Sequence, residues 1–83
     1  MNSINVHILF FGPLKTYFGN KVNLSLPNET LIKVLVTRLK EVSPEASSLL
    51  DSCKIAVNSI IENDDFQLVD SCEVAILPPF SGG

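Results

Sequence analysis

Two glycines, Gly82 and Gly83, close the chain behind Pro78, Pro79, Phe80 and Ser81. The group that could do chemistry there is the α-carboxylate of Gly83. A carboxylate is a poor electrophile until one of its oxygens becomes a good leaving group, and a mixed anhydride with AMP achieves that. Glycine suits such activation, because a narrow channel can close on a tail that lacks Cβ atoms. The diproline fixes two φ angles and biases the residues before it toward extended conformations, so the tail is expected to leave the fold stiffly. Six extended residues reach roughly 20 Å at about 3.3–3.6 Å each, enough to enter a buried active site while the domain stays docked outside.

No side-chain constellation competes with that carboxylate. The sequence has no phosphate-cradling glycine loop, no Gly-x-Ser-x-Gly, no His-Glu-x-x-His and no Cys-His pairing at readable spacing, so autonomous catalysis is not expected. Cys53 and Cys72 stand far apart and His7 is the single histidine, which is neither a metal site nor a redox dithiol. The two cysteines read as small half-buried hydrophobes and His7 as a surface strand residue. Net charge is −3, and Lys15, Lys21, Lys33, Arg38, Lys40 and Lys54 form no dense patch, which argues against a nucleic-acid partner. Acidic residues gather at Glu62, Asp64, Asp65, Asp70 and Glu73; they read as a solvated loop and turn, with a basic partner surface as the alternative. No signal-peptide pattern and no apolar run of about 18 residues is present, so no membrane segment and a cytoplasmic location are expected.

The elements that must position the tail follow from pattern. Eighty-three residues with 46% hydrophobic and 18% charged content make one folded domain with an economical core. Residues 5–11 are β-branched and aromatic and end at Gly12-Pro13, which predicts a strand. Val22, Leu24 and Leu26 alternate with polar residues in a second strand, and one helical turn is expected between the two, over residues 14–18. Leu31, Val34, Leu35, Leu39 and Val42 share one face of a helix over residues 31–42, with Thr30 or Asn28 as cap and Ser43-Pro44 as stop. Ser43 is expected to cap a second short turn that Pro44 begins. Strands at residues 54–58 and 73–77 complete the pattern, with a short piece at Ile60-Ile61.

This order of two strands, one main helix and further strands predicts an α+β fold, a β-grasp with a mixed sheet wrapped on that helix. The first and last strands would lie side by side at the sheet centre. Alternation then places Val6, Ile8, Phe10, Val74 and Ile76 under the helix and leaves Leu9, Phe11, Ala75 and Leu77 on the open face with His7, Lys54 and Glu73. An apolar cluster there, beside the emerging tail, is a candidate protein interface.

Three stretches, ILFFGPLKTYFG (residues 8–19), AVN (56–58) and LVDSCEVAILPPFSGG (68–83), carry a resemblance to the small sulfur-carrying subunits of molybdopterin synthase, a family of ubiquitin-like β-grasp proteins. The resemblance runs nearly end to end. It implies a domain over residues 1–77 and a flexible, extended tail over residues 78–83 that inserts into partner active sites. It also implies that an ATP-using adenylyltransferase, similar to ubiquitin-activating enzymes, adenylates Gly83, whose carboxylate then becomes a thiocarboxylate. Inside the large synthase subunit, in an assembly of two small and two large chains, the sulfur would pass to a pterin precursor. Gly82 would allow the slim approach, while Pro78, Pro79, Phe80 and Ser81 would contact the channel. Leu9, Phe11, Lys15, Ala75 and Leu77 would meet the partner, and no cofactor or metal would be held by the chain itself. Lys15-Thr16 stands where many relatives carry Arg-Glu, so a bidentate ion pair to the partner is not available from this lysine. Asp70-Ser71-Cys72 replaces the usual Asp-Gly-Asp, and Cys72 is assigned no part in sulfur relay. A sulfur carrier for thiamine or transfer-RNA thiolation, a ubiquitin-like conjugating modifier and an inert interaction module are the alternatives.

Overall fold

The computed structural model describes residues 2–79. Strand β1 (Ser3–Phe10) buries Ile4, Val6, Ile8 and Phe10 and turns the residues between them outward, as a period of two requires. It pairs antiparallel with β2 (Lys21–Pro27), whose half-buried Val22 and Leu24 and buried Leu26 continue the same inner face. A 3-10 turn (Gly12–Leu14) and a one-turn helix α1 (Lys15–Phe18) join the two strands, close to the expected single turn. That connection fills the end of the core, with Leu14 buried and the Phe18 ring stacked 4.7 Å from that of Phe10.

Beyond β2 come β3 (Thr30–Leu31), helix α2 (Ile32–Val42), a second 3-10 turn (Pro44–Ala46), α3 (Ser47–Asp51), β4 (Lys54–Val57), β5 (Ile60–Glu62), β6 (Gln67–Leu68) and β7 (Cys72–Leu77). Five strands form one sheet in the order β2-β1-β7-β4-β5, and β3 pairs with β6 in a separate two-stranded ribbon. Every pairing in the large sheet is antiparallel except β1 with β7, which run parallel at its centre. This mixed sheet with α2 across one face is the β-grasp.

The helix turns a different stripe inward than the periodicity suggested. Ile32, Leu35 and Leu39 are buried and Val36 is half-buried, a set spaced i, i+3, i+4 and i+7, while Val34 is 44% and Val42 73% exposed. Leu31 lies outside the helix, still in β3 opposite Gln67. The expected side-chain cap is also absent. Thr30 donates its hydroxyl to the Pro27 carbonyl, and the first helical N–H groups, of Ile32 and Lys33, donate instead to the carbonyls of Phe66 and Asp64. Tertiary carbonyls therefore satisfy donors that a helix N-terminus leaves free, and they set the helix's rotation. Ser43 likewise makes no side-chain cap; its carbonyl accepts from the N–H of Ala46.

Buried apolar side chains from β1, β4, β7 and α2 meet in a single core, each worth about 1.5–3 kcal/mol relative to exposure. The last strand thus sits between two paired neighbours, and whatever follows Leu77 departs from the best-anchored part of the sheet.

Candidate functional site

The sheet face opposite α2 is built by the outward residues of the same strands. Register fixes their neighbours. Leu9 lies beside Lys21 on one side and Ala75 on the other; Ala75 pairs with Ala56, and Ala56 with Ile61. One row therefore crosses all five strands, apolar from Leu9 to Ile61 and ended by the Lys21 ammonium. Leu9 and Ala75 are half-buried, Ala56 is buried and Ile61 is 53% exposed. At the tail end of the face, Leu77 pairs with Lys54, and Phe11, 41% exposed, follows β1 directly.

The other end of the face is polar. His7 lies opposite Glu73, and its Nδ1 stands 2.7 Å from Oδ1 of Asn23. The N–H of Glu73 donates to Oδ1 of Asn58, and that of Asn58 to the Glu73 carbonyl, which pins the Asn58-Ser59 turn against β7. An apolar centre with a polar margin is the ordinary anatomy of a protein–protein contact.

Of the residues expected at an interface, Leu9, Phe11, Ala75 and Leu77 come together on this face. Lys15 lies on α1, exposed and without an ion pair among the described residues. Ala56 and Ile61 were missed by sequence reasoning. Alternation of Ile55 and Val57 around Ala56 carried the signal, but only the strand order shows that Ala56 lies next to Ala75. Pro78 is half-buried and Pro79 exposed. Phe80, Ser81, Gly82 and Gly83, also expected at the site, lie outside the described residues.

The thiols are poorly suited to nucleophilic work. Burial pushes the Cys53 thiol up, and burial together with the Asp70 carboxylate pushes up that of Cys72, so both stay protonated near neutrality. Cys72 is buried on the core side of β7, and Cys53 donates its S–H to the Leu49 carbonyl at 3.1 Å. Among the described residues no three His, Cys, Asp or Glu side chains are placed to hold a metal, and no helix is long and apolar enough to cross a membrane. What remains is a five-stranded sheet with a partly exposed apolar row on its open face and Pro78-Pro79 following its central strand.

The ThiS family model matches residues 8–83. A relative from Dictyostelium discoideum named molybdopterin synthase sulfur carrier subunit is 35% identical over 80 residues, covering 92% of this chain and 93% of the relative. Among solved structures, a complex of subunits 1 and 2 of molybdopterin-converting factor from Helicobacter pylori contains a chain 30% identical, with a TM-score of 0.71 and coverage of 96% of this chain and 100% of that one. The small archaeal modifier protein 1 of Methanosarcina acetivorans is 26% identical, with a TM-score of 0.76 and both chains fully covered.

Proposed function

The chain belongs to the ThiS family of ubiquitin-like sulfur carriers, and on that premise we propose that it is the sulfur-carrier subunit of molybdopterin synthase. The observation that carries the reading is the row Leu9-Ala75-Ala56-Ile61, an apolar face continuous with the strand from which the tail departs. Likeness to a chain from a two-subunit complex supports a large synthase subunit as the occupant of that face.

Residues 1–77 act as the docking body and residues 78–83 as the tail. An ATP-using adenylyltransferase attacks ATP with the Gly83 carboxylate, forming the acyl adenylate and releasing pyrophosphate. A sulfur donor then displaces AMP and leaves C(=O)S⁻ on Gly83. That group is a soft nucleophile tethered to a protein, which delivers sulfur without free sulfide. Once the sulfur has bonded to carbon of the pterin precursor, water cleaves the acyl–sulfur bond and restores the carboxylate. The large subunit supplies positioning and proton transfer, and this chain holds no cofactor of its own. A cytoplasmic heterotetramer of two small and two large subunits completes the reading; the free thiols Cys53 and Cys72 suit a reducing compartment.

Deleting Gly83 is expected to abolish molybdenum cofactor synthesis and leave the circular dichroism spectrum unchanged. Normal molybdoenzyme activity in that deletion strain would overturn the reading. The likeness to an archaeal modifier favours one rival, conjugation to target lysines. Isopeptide-linked adducts that survive reducing agents in cells would establish it.

A further inference from the structure

The two central strands are parallel neighbours in register, Phe10 beside Ile76. Beyond that pair their chains diverge. After Phe11 the first turns away at Gly12, whose φ of 58° lies in the left-handed region, into the 3-10 turn and α1. The second runs on into Pro78-Pro79. A Cβ placed on Gly12 would lie 3.3 Å from Cγ of Pro78, tighter than ordinary van der Waals contact. Pro78 has no N–H to add to the sheet ladder, so side-chain packing has to replace the hydrogen bond that would otherwise hold the strand's exit.

We propose that Gly12 is a positioning residue for sulfur transfer: its bare Cα forms the seat on which the Pro78 ring sets the direction of the tail. The proposal rests on the sulfur-carrier reading and adds to it a residue outside the docking face. Its leverage follows from length. Five residues beyond Pro78 span about 17 Å when extended, so a displacement of about 0.3 Å over the first residue grows to roughly 1.5 Å at Gly83. Misplacing a reacting group by about 1 Å can cost 100-fold in rate; with part of the shift taken up by contacts inside the partner's channel, about tenfold is expected.

Gly19 supplies the control. Its φ of 78° and ψ of −163° lie in a region nearly reserved for glycine, so alanine there strains the backbone, but a Cβ would meet nothing within 4 Å. Gly12→Ala and Gly19→Ala should therefore both lower the melting temperature. With chains chemically thiocarboxylated at Gly83 and saturating large subunit, single-turnover transfer should fall about tenfold in Gly12→Ala and stay within about twofold in Gly19→Ala. Affinity for the large subunit should be unchanged in both. Pro78→Ala removes the Cγ atom, and in that background Gly12→Ala should slow transfer no further. Equal slowing by the two glycine variants, or an undiminished Gly12→Ala effect beside Pro78→Ala, would overturn the proposal. A nuclear Overhauser contact between Gly12 Hα and Pro78 Hγ in the free chain reads the seat without any reaction. Loss of that contact counts against the seat, whereas a wild-type chain that transfers no sulfur counts against the sulfur-carrier reading.

Discussion

Replacing Phe11 with alanine tests the open face as the proposed docking surface. Phe11 is 41% exposed at the tail end of the open face. Phenylalanine offers about 200 Å² to bury, so close to 80 Å² remains for a partner to cover, worth about 2 kcal/mol at 25 cal/mol/Å². Phe11→Ala should accordingly weaken binding of the large subunit about 30-fold. The portion already covered by the domain contributes to folding in the free and bound states alike, so a lower urea midpoint accompanies the loss of affinity and does not explain it. Val42→Ala is the matched control, since Val42 is more exposed, at 73%, but lies on the helix side of the sheet. Titration calorimetry on the two variants, each confirmed folded, measures the difference directly. An unchanged Kd for Phe11→Ala, or an equal loss for Val42→Ala, would refute the assignment of the open face.

Two further predictions concern the body of the domain. Leu35 is fully buried under the sheet, so Leu35→Ala should cost about 2–5 kcal/mol in urea unfolding; a loss below about 1 kcal/mol would contradict the helix face described. Because both thiols are held above the ordinary value of 9.0, the unfolded chain ionises first, and stability should be undiminished below that pH and fall as pH rises through the higher native values. Stability rising over that range, or rapid alkylation of Cys72 at neutral pH, would be inconsistent with the buried thiol.

Strands were the legible part of this sequence, because β1 and β2 alternate cleanly and one face of each is buried. The parallel pairing of β1 with β7 followed from element order. Helix rotation did not. Val34 and Val42 strengthen the apolar period of α2 while pointing outward, and the carbonyls of Asp64 and Phe66 that set the helix start belong to a loop some thirty residues away in sequence. The ribbon of β3 and β6 is two residues per strand, too short to leave a pattern. On the open face, Leu9, Phe11, Ala75 and Leu77 were readable from alternation, whereas Ala56 and Ile61 needed the strand order. The seat of Pro78 on Gly12 depends on two chains 66 positions apart ending in register, which no local pattern encodes.

Intact mass spectrometry tests the central claim most directly. The chain would be weighed before and after incubation with ATP, a competent activating enzyme and a sulfur source. Replacement of one oxygen by sulfur predicts a gain of about 16 Da, confined by fragmentation to Gly83. An unchanged mass, with the activating enzyme shown to work on its own substrate, would contradict the account and remove Gly83 as the reacting residue.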